Sequence, residues 1–333
     1  MRGFVTDATV PGGLRLTDGL PEPAPAPHEA VVEVRAFSLN HDEANLIRRR
    51  PHGWRPGQDT AGVVVRAAAD GTGPREGTRV VAYMDWEGWC ERIPIAGHRT
   101  AVLPDEVSFE QAATLPVAGL TALRALRVGG ALLGRNVLVT GASGGVGQFA
   151  VQLAVASGAR VTAHVTRPER AAEVRALGAH HVVTSLAENA ENAEGGEGGG
   201  VFGPPGPSEP SDSYRPSGPF HLALDGIGGP LLPQVMHRMA PGATTVLYGN
   251  IGGPAEVRIL DFAGYAPNSR LMGLVSPIPD ETKGEDLAIL VALIADGRLT
   301  PRIGLRDTWD RTPEAFAALA ARAFRGKAVL VLP

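Results

Sequence analysis

Four glycines, at positions 141, 144, 145 and 147, constrain this chain more than any other feature. They follow an apolar run, Val137-Leu138-Val139, and precede an alanine-rich stretch with helical periodicity from Phe149 to Ser157. A second apolar run, Arg160 to Val165, comes next. Strand, glycine loop, helix and second strand in that order form the unit that sets a dinucleotide pyrophosphate on a helix N-terminus. Glycine lets the backbone turn tightly and approach the phosphates with no Cβ in the way. The helix's free N–H groups and the positive end of its dipole then hold the anion.

The end of the second run bears on which dinucleotide is held. An NAD site carries an acidic residue about 20 positions past the glycines, accepting from the ribose 2′-hydroxyl. Here the run ends Thr162-Ala163-His164-Val165-Thr166-Arg167-Pro168, with no acid before Glu169. A hydroxyl at Thr166 and a guanidinium at Arg167 suit a 2′-phosphate, which needs donors and positive charge. The other reading of Arg167 is a solvated residue at a helix start. The balance favours NADPH over NADH.

At 333 residues the chain is long enough for two domains with their own cores. A formal net charge of −4, with no basic stripe, argues against a nucleic-acid partner. Cys90 is the only cysteine, so no internal disulfide can form and a reducing compartment is expected. The N-terminus Met1-Arg2-Gly3-Phe4-Val5-Thr6-Asp7 lacks the apolar core of a signal peptide. No apolar run is long enough to span a bilayer. A cytoplasmic protein is the expectation.

Residues 1–110 carry short apolar runs between Pro/Gly turns, at Ala30 to Phe37, Ala61 to Ala68, Thr78 to Tyr83 and Glu91 to Ile95. That punctuation predicts a β-rich, barrel-like domain. Gln111 to Leu126 has helical periodicity, and strands then alternate with helices to about residue 260. Helices are predicted at Glu285 to Asp296 and Pro313 to Phe324, and a closing strand at Ala328 to Leu332 that returns to the first domain. Residues 187–219 are rich in Glu, Asn, Gly, Pro and Ser and poor in apolar residues, which predicts a disordered insertion.

In this order the pieces resemble the medium-chain dehydrogenase/reductase superfamily, in particular its zinc-free quinone oxidoreductase branch. The resemblance rests on Phe37-Ser38-Leu39-Asn40, Gly57-Gln58-Asp59-Thr60-Ala61-Gly62-Val63-Val64, Gly88-Trp89-Cys90-Glu91 and Leu103-Pro104-Asp105. It continues through Ala112-Ala113-Thr114-Leu115-Pro116, Gly119-Leu120-Thr121-Ala122, the Gly141 to Gly147 loop, Leu177-Gly178-Ala179, Asp225 to Gly229 and Gly326-Lys327. It implies an α/β fold: a Rossmann doubly wound parallel sheet, residues 119–261, inserted into a GroES-like β-barrel domain, residues 1–118 and 262–333. It also implies a homodimer.

The same resemblance implies site residues. Gly141, Ser143, Gly144, Gly145, Val146 and Gly147 would hold the pyrophosphate, with Thr121 near the nicotinamide. Tyr248, Gly249 and Asn250 would face the cofactor cleft. Arg322 would approach a phosphate, or else is a solvated helix arginine. Asn40 would sit in the interdomain cleft and donate to a substrate oxygen. His41 would donate a hydrogen bond or proton, or else make a structural hydrogen bond. Relatives often carry a tyrosine soon after this asparagine, whereas His41-Asp42-Glu43-Ala44-Asn45-Leu46-Ile47 has none. A catalytic zinc would need Cys and His ligands. The single cysteine, Cys90, stands where relatives carry a small packing residue, and Gln58-Asp59 stands where a His-Glu pair would carry a ligand. His41 and Asp42, near another ligand position, do not complete a site, so no metal is expected.

Without a Lewis acid, the easier chemistry is hydride addition to a quinone or α,β-unsaturated carbonyl, whose developing oxyanion hydrogen-bond donors can stabilise. The expected activity is an NADPH-dependent, zinc-independent reductase of such small molecules. Alternatives are an enoyl-thioester reductase or tailoring enzyme of a biosynthetic pathway, and a non-catalytic NADPH-binding protein. Trp54, Trp86 and Trp89 would line a pocket for a flat apolar substrate, or pack in the core.

Overall fold

The structure, a computed structural model, describes residues 1–186, 218–274 and 279–333. The expected insertion at 187–219 therefore lies outside the described residues, apart from Gly218 and Pro219 at its end. No helix among the described residues is long and apolar enough to cross a membrane.

The glycine-loop unit begins a six-stranded sheet. Its spatial order is His181–Val183, Arg160–His164, Asn136–Val139, Phe220–Asp225, Met239–Leu247 and Arg270–Gly273, all paired in parallel. In chain order this is the doubly wound 3-2-1-4-5-6 arrangement. Val137, Leu138 and Val139 are each fully buried, as expected for a central parallel strand covered on both faces. The strand order reverses between Asn136–Val139 and Phe220–Asp225, the switch point at which a doubly wound sheet places its crevice, beyond the carboxyl ends of the strands.

The second sheet uses both ends of the chain. Its order is Ile303–Thr308, Lys327–Val331, Glu29–Ser38, Asp59–Arg66, Arg79–Tyr83 and Thr100–Val102, with Arg92–Ala96 also on Glu29–Ser38. The closing strand pairs antiparallel with the opening one, setting Val329 opposite Ser38 and Val331 opposite Ala36. The first sheet is thus inserted into the second, as the resemblance implies. One expected boundary needs correction. Arg270–Gly273 pairs with Met239–Leu247 in the parallel sheet, so the chain leaves that sheet after residue 273 and not at 262.

The helix expected over Gln111 to Leu126 is broken. Phe109–Ala113 is capped reciprocally by Ser108 and Gln111, and a wide turn over Leu115–Gly119 leads into Leu120–Val128. Pro116 lies inside that turn and has no N–H to give a regular ladder. The turn frees the N–H of Val117 for a side chain elsewhere, as described below. On the far side, Lys283–Ala295 is tied to Leu120–Val128 through Asp286, which accepts from Arg124 Nε at 2.9 Å and also from Arg127.

Candidate functional site

Gly141 opens the cofactor loop in the left-handed region at φ +59°, and Gly144 N–H closes a tight turn onto Gly141 O at 2.9 Å. A Cβ on Gly147 would stand 2.3 Å from Gly141 O, so the helix can start this close to the turn only with glycine there. The helix Gly145–Ala156 makes its first intrahelical bond from Gln148 N–H to Gly144 O, at 3.2 Å. The N–H groups of Gly145, Val146 and Gly147 precede it and can serve an anion.

The loop is held from the other sheet as well. Gly326 N–H donates to Ser143 O at 3.2 Å, and a Cβ on Gly145 would meet Lys327 Cδ at 3.2 Å. The C-terminal strand of the GroES-like sheet therefore lies directly against the glycine loop.

Across the crevice, the buried Asp225 carboxylate accepts from Thr140 Oγ1 at 2.5 Å and from the N–H groups of Ile227 and Gly228. Tyr248 N–H donates to Asp225 O at 3.0 Å, and its hydroxyl donates to Thr140 O at 3.4 Å. Burial, then the nearby Asp225 charge, push the Tyr248 phenol pKa up, so it is a neutral donor. A Cβ on Gly226 would strike the Tyr248 ring at 2.4 Å. Gly249 and the exposed Asn250 follow against the 226–229 turn. These three residues thus flank the switch-point crevice from its second side.

Past the strand Arg160–His164, positive charge gathers. Thr166 and Arg167 are exposed, and Arg170, half-buried, reaches Ser143 Oγ at 3.4 Å with its Nε buried and unpartnered. Partial burial, then Arg167, Arg325 and Arg322, lower the Arg170 pKa, with Glu169 opposing. Arg322 adopts a left-handed φ of +54°, uncommon for a side-chain-bearing residue. Like charges so gathered, beside an orphaned guanidinium nitrogen, suit an anion of more than one charge.

At the other end of the crevice stands a buried ion pair. Lys327, 3% exposed, donates to Asp59 Oδ2 at 3.0 Å, to Asn40 Oδ1 at 2.6 Å and to Leu39 O at 2.9 Å. All three ammonium hydrogens are used. Asp59, fully buried, also accepts from Ser38 Oγ at 2.5 Å, from Asn40 Nδ2 at 3.0 Å and from Val117 N–H at 2.7 Å. Val117 in turn accepts from Thr121 Oγ1 at 2.6 Å. One carboxylate therefore joins Asn40, the closing strand and the turn that presents Thr121.

Asn40 caps the helix His41–Arg49, and its N–H donates to Glu43 Oε2 at 2.8 Å. Its amide orientation is set: oxygen to Lys327, nitrogen to Asp59, leaving one N–H unassigned. Glu43 is fully buried, its Oε1 has no hydrogen-bond partner, and burial followed by repulsion from Asp59 raises its pKa well above the usual carboxylate value. A protonated Glu43 leaves Lys327 and Asp59 as a charge-balanced pair. His41 reaches the surface, yet partial desolvation, then Lys327 and Arg322, lower its pKa, with Asp42 opposing. It is a neutral imidazole at neutral pH.

These donors do not fit zinc. Around Asp59 stand an amide, a hydroxyl and an ammonium, with no thiolate or imidazole among its bonded partners. Cys90 is buried elsewhere, its single S–H shared between the carbonyls of Glu87 and Arg92, each 3.1 Å from Sγ. No group of three His, Cys, Asp or Glu side chains among the described residues could hold a metal ion.

Family models agree with this architecture. The alcohol dehydrogenase GroES-like domain model matches residues 26–125, and the zinc-binding dehydrogenase model matches residues 145–284. The chain is 30% identical over 328 residues to a chloroplastic quinone oxidoreductase of Triphysaria versicolor, covering 90% of this chain and 88% of that protein. It is 32% identical over 317 residues to the spectinabilin polyketide synthase system protein NorB of Streptomyces orinoci, covering 92% of this chain and 13% of that protein. Of the next relatives it spans about half, 54%. A mycobacterial structure complexed with NADPH superposes with a TM-score of 0.81 at 24% identity, covering 99% of this chain and 100% of that one. The chain belongs to the medium-chain dehydrogenase/reductase superfamily, in its quinone oxidoreductase branch.

Sequence reasoning passed over Arg170, Arg325, Glu43 and the pairing of Asp59 with Lys327. Arg170 had a readable signal, lying three residues beyond Arg167 at the start of the next helix. Lys327 had another: it is one of only two lysines in the chain. Trp89 is core, stacked on Phe37 at 5.4 Å, whereas Trp54 and Trp86 form a half-buried tilted pair at 5.0 Å.

Two outcomes follow from the buried network. Lys327→Met strands a buried carboxylate and lowers stability by about 3 kcal/mol. Adding Asp59→Asn recovers part of that loss in denaturant titrations, and strictly additive losses would refute the coupling. For Glu43, the folded state keeps a proton that the unfolded carboxyl has released, so its contribution to stability is lost as pH rises through the folded pKa. Glu43→Gln, which copies the protonated form, therefore gains on the wild type at about pH 8 and loses that advantage near pH 4. An unchanged difference between the two would show Glu43 to be ionised.

Proposed function

We propose that the chain is an NADPH-dependent, zinc-independent reductase that delivers hydride to a quinone or to an alkene conjugated with a carbonyl. The observation that carries this is Asn40, whose amide is locked by Lys327 and Asp59 with one N–H left over. When bound, the nicotinamide supplies the hydride. Asn40 donates to the acceptor's carbonyl oxygen as negative charge builds there, and preorganisation by the ion pair spares reorientation at that moment. Thr121 packs beside the same centre through Val117. His41, whose pKa is lowered by partial desolvation and then by Lys327 and Arg322, is a poor proton donor at neutral pH. The final proton then comes from water.

Support for NADPH comes from Arg170, Arg167, Arg322 and Arg325, and from the neighbour solved with NADPH. The likeness to a polyketide synthase system protein favours an enoyl thioester as the alternative acceptor. The strand Arg270–Gly273, at the edge of the sheet among the described residues, with Met272 41% exposed and Ile259 and Leu260 exposed on the segment before it, supports a homodimer joined at this edge. Met272→Arg should then give a single chain by sedimentation, and a wild type that is already monomeric rules the dimer out.

NADPH oxidation against quinones, enones and enoyl thioesters tests the main reading. Arg170→Ala weakens NADPH by about tenfold or more, Arg167→Ala by less, and NADH by little in either. Equal losses for both cofactors refute the 2′-phosphate assignment. Chelator treatment leaves turnover unchanged. NADPH binding without turnover of any acceptor would move the protein to a non-catalytic role.

A further inference from the structure

The helix that begins at Asn40 ends in Arg48-Arg49-Arg50, three exposed arginines in succession. None has a carboxylate partner among the described residues: Arg48 donates to Asn45 Oδ1 at 2.7 Å, and Arg50 lies over the Trp54 ring at 5.3 Å. Elsewhere in this domain Arg2, Arg15, Arg35, Arg92 and Arg99 are each paired with an acid. Cations in a last helical turn complement the macrodipole, which accounts for the sign of the patch. It does not account for three uncompensated charges beside an aromatic pair in a protein of net charge −4.

We propose that Arg48, Arg49 and Arg50, with Trp54, seat the phosphorylated nucleotide end of a coenzyme A thioester whose acyl end lies at Asn40. This rests on the reading of the Asn40 cleft as a site of hydride transfer to a conjugated alkene, and it names the acceptor as an enoyl thioester. The helix from His41 to Arg49 has nine residues and so spans roughly 13 Å. An extended pantetheine arm bridges that interval, leaving the 3′-phosphate and diphosphate at the arginines. Arginine forks pair with phosphate bidentately, and a guanidinium packed on an indole offers a planar surface to a purine. A thioester carbonyl conjugated with the alkene is the oxygen that Asn40 would polarise.

Two readouts test the seat, both on protein saturated with NADPH so that the nucleotide cannot occupy the Arg170 cluster. The first is binding of coenzyme A itself, compared between the wild type and the triple variant Arg48→Ser, Arg49→Ser, Arg50→Ser. Affinity should fall about tenfold or more in the variant, and in the wild type as salt is raised. The second is kcat/KM for crotonyl-coenzyme A against the crotonyl thioester of N-acetylcysteamine, which lacks the nucleotide. The wild type should prefer the first, and the variant should lose the preference while keeping its rate on the second.

Equal use of both thioesters by the wild type, or unchanged coenzyme A binding in the variant, overturns the proposal. So does equal loss on both thioesters. A preference for a thioester carried on acyl carrier protein, with the same arginine dependence, replaces the nucleotide seat with a protein-docking one. Quinone turnover with neither thioester reduced overturns the seat and leaves the hydride reading standing. No turnover of any acceptor overturns that reading and the proposal with it.

Discussion

The ion pair between Lys327 and Asp59 organises the rest of the site. It joins a residue near the end of the chain to one near its beginning, with both side chains almost wholly out of water. Burying two charges is costly unless every donor and acceptor finds a partner. Here the partners are Leu39 O, Asn40, Ser38 and Val117. Satisfying that requirement fixes the amide of Asn40 and the turn that presents Thr121. The Lys327 stem also abuts Gly145, so the same pair sets how the second sheet meets the glycine loop. In a zinc enzyme a metal ion would supply fixed positive charge to such a cleft. An ammonium held by three hydrogen bonds occupies the Asp59 carboxylate here, and its charge is spent internally.

The two ends of the crevice are built on opposite principles. Around Asp59 every charge is compensated inside the protein, giving a rigid, preorganised centre. Around Arg170 positive charge is compensated only in part: Glu173 pairs with Arg325 and Glu169 opposes, while Arg167, Arg322 and Arg325 all act against the Arg170 charge. Such a cluster is relieved when an anion arrives, so its binding energy comes partly from repulsion already present in the free protein. The Asp59 side is therefore closed by its own hydrogen bonds, whereas the Arg170 side keeps an unpartnered guanidinium nitrogen.

Much of the fold was legible because its signals are local. The glycine spacing at 141–147, the apolar runs at 137–139 and 160–165 and the turn punctuation of the first hundred residues each rest on neighbours in sequence. The helix expected over 111–126 was legible only in part. Pro116 signals a break, but the wide turn it sits in makes sense only once Val117 N–H is seen to meet Asp59. The boundary placed at 261 failed for a similar reason: Arg270–Gly273 is a four-residue strand, identified by its pairing with Met239–Leu247 and not by any period of its own.

The sequence by itself determined the superfamily, the inserted doubly wound sheet and the tight glycine loop at the start of its first helix, since these depend on residue spacing and on where glycine must stand. Only the tertiary structure decided that Lys327 answers Asp59 across 268 positions, that burial and Asp59 push the Glu43 pKa up and that Arg170 turns back to Ser143. Hydrogen bonds and pKa values depend on which groups share a low-dielectric space. Chain order does not encode that sharing; the packing of the two sheets does.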